Sequence, residues 1–216
     1  MALHVSSATL YDFPFSSASY RVRIALNLKG IAPQTIKGIN LRTGEQLEGG
    51  FMAIAGAPMV PTMDFGDAAY GQSIALIEWL DNRHPDPRLI PENADDALAV
   101  RSLALTISCD IHPLNTPRVL KRLTGSMGQG EEARKDWYAH WVREGFAVLE
   151  RQLARFCDRG PFCIGAELTL ADICLVPQVL NARRFGVPID DFQRITAIDA
   201  HCNTLAAFQA ASPLKD

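Results

Sequence analysis

Three serines, Ser16, Ser17 and Ser19, stand where a short apolar segment gives way to a helical pattern. At a helix N-terminus the first amides are unpaired, and the helix dipole favours an anion. A hydroxyl donor at such a point could stabilise a bound thiolate or carboxylate. The same serines could equally be helix caps and nothing more, and their spacing does not separate the two interpretations.

Two further junctions could present polar groups to a ligand. Gln72-Ser73 precedes a second helical pattern, where a serine cap beside free amides suits a carboxylate. Val60-Pro61 opens a strand-like segment, and a cis bond there would expose backbone groups, whereas a trans proline would only start the strand. Because ligands of open α/β sheets bind at the ends of strands, three such junctions in one region favour a binding site.

The second half of the chain offers a different set of polar residues. Arginine can clamp a carboxylate through two parallel hydrogen bonds, although most arginines on helices are solvated. The candidates are His112, Asn115, Arg118, Arg183 and Arg184. Thr169 and Asp172, three residues apart ahead of an apolar segment, instead favour a structural capping box.

The elements that must position the first three junctions lie within residues 1–83. A strand, a helix that ends at Gly30 and a second strand predict a parallel βαβ unit. A weaker helix, a hairpin turning near Gly66-Asp67 and a serine-capped helix follow, so the predicted order is β-α-β-α-β-β-α. The predicted spans are strands 9–13, 34–37, 60–65 and 68–70, and helices 20–29, 44–54 and 73–80.

The β pattern fades after a proline-rich segment. Pro85, Pro87 and Pro91 cannot lie inside a helix and keep this segment semi-rigid, which predicts a linker. Helices are predicted over 94–123, 132–157, 170–185 and 193–210. The chain is therefore predicted to form a small α/β domain (1–84), a linker (85–92) and an all-α domain (93–216).

Composition excludes several classes of protein. The chain has 216 residues, 48% hydrophobic and 21% charged, with 21 Lys+Arg against 24 Asp+Glu. Without a basic tract it is not expected to bind nucleic acid or an anionic membrane. No apolar run is long enough for a transmembrane helix, and residues 1–5 do not resemble a signal peptide.

The cysteines predict a reducing compartment and no metal site. The chain has 5 cysteines, without a Cys-x-x-Cys pair or a zinc-spaced Cys/His cluster. We expect a cytoplasmic protein in which every one of these thiols is buried and inert. The five are Cys109, Cys157, Cys163, Cys174 and Cys202.

Taken together, these motifs resemble the glutathione transferase superfamily, and specifically its zeta class, which includes maleylacetoacetate and maleylpyruvate isomerases. The likeness covers nearly the whole chain, and the first-helix and Val-Pro-Gln motifs are the more specific to the class. It is carried by residues 16–26, 60–62, 72–73, 110–115, 170–172, 175–178 and 182–185.

The resemblance implies a fold and a cofactor. It implies a thioredoxin-like N-terminal domain that binds glutathione, an all-helical C-terminal domain and a homodimer. Ser16 would hydrogen-bond the thiol sulfur, with Ser17 as its near neighbour in the catalytic pair. A cis bond before Pro61 would let the Val60 backbone pair with the cysteinyl part of glutathione.

The remaining site residues are implied in the same way. Gln72 and Ser73 would hold the γ-glutamyl carboxylate, and His112 and Asn115 would also reach glutathione. Two arginines would hold carboxylates of a small-molecule substrate and stabilise negative charge on it; they are Arg118 and Arg184.

The activity that the resemblance implies is glutathione-dependent cis–trans isomerisation of a maleylacetoacetate- or maleylpyruvate-like enone acid, by thiolate addition, bond rotation and elimination. Two positions depart from the family pattern. Phe15 stands where the family commonly has an arginine, and Ala18 where it often has a cysteine. Phe15 favours the alternative of a glutathione transferase or peroxidase acting on a more apolar electrophile. A glutathione-binding module without turnover is disfavoured by the intact Ser16 and Ser73.

Overall fold

The computed structural model describes residues 3–156 and 160–214. The chain divides into two compact units. The sheet unit comprises Met1–Leu89 and Leu205–Asp216, and the helical unit comprises Ile90–Thr204. The α/β and all-α architecture predicted from the sequence is confirmed, while the predicted domain boundaries stay a prediction.

A mixed four-stranded sheet organises the sheet unit. The strands are β1 (Thr9–Asp12), β2 (Thr35–Gly38), β3 (Thr62–Asp64) and β4 (Ala69–Tyr70). They lie in the order β2-β1-β3-β4. β2 is parallel to β1, whereas β3 is antiparallel to both β1 and β4, so the predicted βαβ unit and hairpin are both confirmed.

The α-helices lie in both units. In chain order they are α1 (Ser17–Lys29), α2 (Gly49–Ala55), α3 (Ser73–Arg83), α4 (Ala94–Leu105), α5 (Pro117–Thr124), α6 (Glu131–Leu153), α7 (Leu170–Arg184), α8 (Gln193–Cys202) and α9 (Ala206–Ala211). α1 ends at Gly30, whose left-handed φ of 64° is the conformation that glycine adopts without strain.

The C-terminal segment packs on α1. The hydroxyl of Tyr20 donates to the carbonyl of Phe208 (3.3 Å), and Nε of Arg23 donates to the carbonyl of Ala211 (3.0 Å). Tyr20 and Phe208 are both buried, so α9 adds apolar burial as well as hydrogen bonds to the sheet unit.

Two local predictions in the sheet unit were wrong. The weak helix predicted over 44–54 is a 3₁₀ turn (Glu45–Leu47) followed by α2, because Gly44 is left-handed and Glu48 is extended. The N-cap of α3 is Gln72 and not Ser73. Ser73 is the first helical residue, and its hydroxyl faces Arg21 instead of the helix amides.

Two predicted long helices are broken in the structure. The span 94–123 contains a π turn (Thr106–Ile111) and a 3₁₀ turn (His112–Asn115) between α4 and α5. Pro113 and Pro117 lack the amide hydrogen that a continuous helix requires. The span 193–210 breaks between α8 and α9, where the side chains of Asn203 and Thr204 bind nearby backbone carbonyls.

The capping box at α7 is confirmed, and it is fully buried. Thr169 and Asp172 form both of its reciprocal bonds. The Asp172 carboxylate accepts from the Cys163 amide (2.7 Å), from the Thr169 amide (2.8 Å) and from the Thr169 hydroxyl (2.9 Å). Burial raises the Asp172 pKa, and these hydrogen bonds act in the opposite direction.

The expectation that every cysteine is buried was wrong for one of them. Cys109 is exposed because it lies on the outer side of the π turn, whereas Cys163, Cys174 and Cys202 are buried. Cys157 lies outside the described residues. Burial raises the pKa of the Cys163 and Cys202 thiols, so both stay protonated at neutral pH.

Within residues 3–156 and 160–214, no helix has the length and apolar character needed to cross a bilayer. The same residues hold no group of three or more His, Cys, Asp or Glu side chains arranged to bind a metal ion.

Candidate functional site

The sheet topology brings the three sequence-predicted junctions to one edge. β1 ends at Asp12, and the chain then enters α1 through Ser16. Because β3 is antiparallel to β1, the segment that precedes β3 starts at this same edge. β4 is antiparallel to β3 and ends there too, so Gln72 follows directly. A Cβ added at Gly71 would lie 3.6 Å from the carbonyl oxygen of Pro61, which shows how closely the last two junctions approach.

Ser16 is the N-cap of α1. Its Oγ accepts a hydrogen bond from the Ser19 amide (3.2 Å). A hydroxyl carries one donor and two acceptor positions, so this bond leaves the hydroxyl hydrogen able to donate to a ligand. Ser17 is the first helical residue and is buried, and Ser16 is half-buried. The interpretations of Ser16 as a cap and as a ligand donor are therefore compatible.

A buried guanidinium lies beside the third junction. Arg21 is only 1% exposed, and its Nη1 donates to Oγ of Ser73 (3.3 Å). Gln72 is exposed, with a φ of 66° that non-glycine residues rarely adopt. Such a backbone conformation persists where surrounding structure holds it, most often at ligand sites. Positive charge and free helix amides together make this junction suitable for a carboxylate.

The second junction contains a cis peptide bond between Val60 and Pro61, as the resemblance implied. Val60 is buried in a cluster with Tyr11 and Phe51, against which Phe13 is also packed. Tyr11 and Phe51 meet edge to face with ring centroids 5.4 Å apart. This cluster holds the Val60 backbone at the site edge of the sheet.

Phe15 lies next to Ser16 and forms an apolar side of the site. Its ring is half-buried and contacts the ring of Phe13 edge to face, with centroids 6.3 Å apart. The guanidinium of Arg42 lies over the Phe15 ring, with Cζ 5.6 Å from the centroid. Sequence reasoning assigned no role to Arg21 or Arg42, because only the fold brings them to this edge.

In the helical unit, His112 and Asn115 belong to the same 3₁₀ turn. Asn115 is 8% exposed, and its Nδ2 donates to the backbone carbonyl of Tyr138 (3.4 Å). Its Oδ1 is buried and accepts no hydrogen bond from any described residue. A buried amide oxygen in this state is able to receive a donor from a ligand or from water.

Arg184, at the end of α7, lies near a pair of stacked aromatic rings. Tyr138 and Phe185 stack with centroids 4.0 Å apart and an interplanar angle of 18°. Burial raises the Tyr138 pKa, and the Arg184 charge acts in the opposite direction, so the two groups are close. Nη1 of Arg184 lies 3.4 Å from the Asn181 side-chain oxygen. Tyr138 thus connects Asn115 with the end of α7.

The other two arginine candidates differ from each other. Arg118 is exposed at the start of α5 and forms no ion pair within the described part of the chain. Arg183 pairs with the buried carboxylate of Asp199, which binds Asn203 as well. Arg183 is therefore occupied in a structural ion pair, while Arg118 is available to a ligand.

The donors at the edge of the sheet fit a ligand with a thiolate at one end and a carboxylate at the other. Ser16 offers a hydroxyl proton at a helix N-terminus, which favours a thiolate. Ser73 offers free helix amides beside the buried charge of Arg21, which favours a carboxylate.

Comparison with known proteins agrees with this geometry. Residues 10–88 match the family model for the glutathione S-transferase N-terminal domain. The chain is 40% identical over 209 residues to the probable maleylacetoacetate isomerase of Vibrio cholerae, covering 96% of each protein. It is 43% identical over 204 residues to the maleylpyruvate isomerase of a Ralstonia species, covering 94% of this chain and 96% of the relative.

A solved structure is similar over the same length. It is a holo maleylpyruvate isomerase, described as a bacterial glutathione S-transferase of the zeta class. The two chains superpose with a TM-score of 0.92 at 42% identity, covering 95% of this chain and 96% of the other. The donors at the sheet edge agree with these similarities, which show that the chain belongs to the glutathione transferase superfamily, in the zeta class of maleylacetoacetate and maleylpyruvate isomerases.

Proposed function

We propose that this protein is a glutathione-dependent cis–trans isomerase of a maleylacetoacetate- or maleylpyruvate-like enone acid. The observation that carries the proposal is that the Ser16 and Gln72-Ser73 junctions lie on one sheet edge, where a hydroxyl donor at one helix N-terminus suits a thiolate and a second helix N-terminus beside Arg21 suits a carboxylate. Relatives named as these isomerases match almost the whole chain, which supports the same activity here.

In this proposal each end of glutathione has its own residues. Gln72 and Ser73 hold the γ-glutamyl carboxylate, with the Arg21 charge behind Ser73. The backbone of Val60, ahead of Pro61, pairs with the cysteinyl part. Two residues of the helical unit complete the set, His112 and Asn115, of which Asn115 has a buried amide oxygen to offer.

Bound glutathione supplies a thiolate that adds to the enone reversibly, so that the former double bond can rotate before the thiolate leaves. A typical thiol has a pKa of about 8.5, so a free thiol is mostly protonated at neutral pH. The Ser16 hydroxyl donates to the sulfur, and the N-terminus of α1 favours negative charge there, so both lower the thiol pKa. Ser17 supports Ser16 from the first position of the helix.

Arg118 and Arg184 have a second task in this proposal. They hold substrate carboxylates, and their positive charge stabilises the negative charge that develops on the substrate carbonyl oxygen. The reaction consumes neither glutathione nor water, because the thiolate that adds to the substrate leaves it again.

The alternative function is a glutathione transferase or peroxidase that acts on a more apolar electrophile. The specific observation in its favour is the Phe13–Phe15 ring pair beside Ser16, which gives the site an apolar side. This activity would consume glutathione, whereas isomerisation would not.

Further parts of the proposal rest on the resemblance. The protein is a cytoplasmic homodimer that acts in aromatic catabolism, and its domains are 1–84 and 93–216, joined by the linker 85–92. Its partners are small molecules and a second copy of the chain, with no nucleic acid and no membrane.

The test follows the enone and the free thiol together. Purified protein is incubated with a catalytic amount of glutathione and with maleylpyruvate or maleylacetoacetate. Conversion of the cis enone into the trans enone, followed as a change in the enone absorbance at constant free thiol, supports the isomerase. If no enone is converted and chlorodinitrobenzene depletes the thiol instead, the chain is a transferase on this fold.

A further inference from the structure

The loop after β2, residues 39–45, carries Arg42 to the ring of Phe15. The guanidinium carbon lies 5.6 Å from the ring centroid, the geometry of a cation–π contact. Phe15 directly precedes Ser16, the N-cap of α1. The contact therefore places a positive charge beside the residue proposed to stabilise the thiolate, although Arg42 is far from Ser16 in sequence.

Hydrogen bonds within the loop hold it in shape. Oδ1 of Asn40 accepts from the Arg42 amide (3.0 Å), and the Asn40 amide donates to the Glu45 carboxylate (2.6 Å). The Asn40 carbonyl accepts from the amide of Gly44, at 3.2 Å. Leu41, the neighbour of Arg42, packs against the buried cluster that contains Val60. The Arg42 backbone is thus anchored to the same cluster that holds Val60.

In the described part of the chain, the charge of Arg42 is not paired with a carboxylate. Two other cations of the sheet unit do pair with carboxylates, Arg23 with Asp12 and Lys29 with Asp81, each at 2.6 Å. Arg42 is exposed, and no carboxylate among the described residues lies within ion-pair distance of it. A guanidinium held over an aromatic ring still has N–H groups that can donate two parallel hydrogen bonds to a carboxylate.

We propose that Arg42, supported by the ring of Phe15, binds a carboxylate of the substrate beside Ser16. The inference rests on the isomerase function proposed above and specifies its substrate class. Phe15 alone favours an apolar electrophile, but the Arg42–Phe15 pair makes the same side of the site cationic. The substrate is then an enone that carries two carboxylates, and Arg42 is a specificity-determining residue.

The test compares R42Q with K37Q. Lys37 is the matched control because its ammonium lies over the ring of Tyr11 (5.7 Å) in the same sheet, so its loss removes one charge from a similar contact elsewhere. Each variant is assayed with maleylpyruvate, with neutral chlorodinitrobenzene, and for the KM of glutathione. R42Q should lower kcat/KM for maleylpyruvate about tenfold or more and leave the other two values within about twofold. K37Q should leave all three unchanged.

A rescue variant sharpens the result. F15R in the R42Q background returns a guanidinium to the position directly before Ser16, and should recover most of the lost kcat/KM for maleylpyruvate. An unchanged kcat/KM in R42Q would overturn the inference. An equal loss with both substrates, or a raised glutathione KM alone, would overturn it as well, because Arg42 would then serve folding or the cofactor.

A binding measurement separates this inference from the proposed function. Malonate, an unreactive dicarboxylate, is titrated into glutathione-saturated wild type and R42Q by calorimetry. Weaker binding to R42Q by about tenfold supports the inference even if the wild type isomerises nothing, in which case only the proposed function fails. Equal affinity, or binding to neither protein, overturns it.

Discussion

Helix α7 of the helical unit begins differently from helices α1 and α3 of the sheet unit. At α7 the Asp172 carboxylate accepts three hydrogen bonds from the protein itself, and the whole arrangement is buried. At α1 the Ser16 cap uses one acceptor position and keeps its hydroxyl proton, and at α3 the N-cap Gln72 forms no side-chain cap bond at all.

The difference shows how to tell a structural helix start from a functional one. Both kinds carry the same residue types, hydroxyls and short polar side chains, and both gain from the helix dipole. Where internal groups satisfy the first amides, the residues contribute stability. Where the amides and a donor stay available, and a buried cation such as Arg21 lies behind them, they can hold an anion. The predictions below test this contrast, beginning with the largest effect.

Asp172→Ala should cause the largest loss of stability. It leaves three buried donors without an acceptor, and each such group costs about 1–3 kcal/mol, so unfolding should become easier by about 3 kcal/mol or more. Urea unfolding measures this. The control is Asp95→Ala, because Asp95 is exposed in the first turn of α4 and should matter little. A loss below about 1 kcal/mol in Asp172→Ala would contradict the structural assignment of α7.

Ser16→Ala should cause the largest loss of turnover. Without the hydroxyl donor, the pKa of the bound thiol should rise towards that of a free thiol, and kcat/KM should fall about a hundredfold. The ultraviolet absorbance of the thiolate, titrated against pH, measures the pKa. Ser16→Thr keeps both cap and donor and should retain activity, whereas Ser16→Asp keeps only the cap and should not. An unmoved titration curve in Ser16→Ala would remove Ser16 from this role.

Arg184→Ala and Arg183→Ala should separate the two neighbours at the end of α7. Loss of Arg184 should lower kcat/KM for an acidic substrate about tenfold and leave a neutral electrophile unaffected. Loss of Arg183 should instead lower stability, because it leaves the buried Asp199 carboxylate without its cation. If the two substitutions produced the same pattern, this distinction would be wrong.

Gln72→Gly should produce the smallest effect, and one of unusual sign. The φ of 66° at Gln72 costs an ordinary residue about 1 kcal/mol, so glycine should stabilise the fold by that amount while glutathione binds several-fold more weakly. Ala75→Gly, at an exposed position in the same helix, should destabilise by about 1 kcal/mol. Chemical unfolding measures the stability of both variants, and titration with glutathione measures their affinity for it. If the Gln72→Gly variant were less stable than the wild type, the backbone conformation at Gln72 would not be strained.

Local signals in the sequence predicted much of the fold correctly. Some features depend on only a few neighbouring residues and can be predicted from the sequence. They are the C-terminal glycine of α1, the capping box of α7 and the hairpin. The prediction of one helix over 94–123 was wrong. An apolar pattern continues on both sides of the proline at 113, so the break there was not evident from the pattern. The π turn that exposes Cys109 has no sequence signature of its own.

The candidate site divides in the same way. Ser16, the Val60-Pro61 pair and Gln72-Ser73 could be found because each marks a junction between elements. Arg21 and Arg42 could not, since Arg21 looks like any other helical arginine and Arg42 like a solvated loop residue. Their contacts with Ser73 and Phe15 depend on the packing of elements that are distant along the chain.

By itself the sequence determined the order of strands and helices in the sheet unit, the C-terminal glycine of α1, the capping box of α7 and the three junctions at which chemistry is possible, because these depend on short-range sterics and hydrogen bonding. Only the tertiary structure decided that β3 runs antiparallel to β1 and so brings the junctions to one edge. The tertiary structure also decided which side chains beside these junctions are buried, which are paired and which are available to a ligand. Those properties arise from contacts between residues far apart in sequence, which no local pattern encodes.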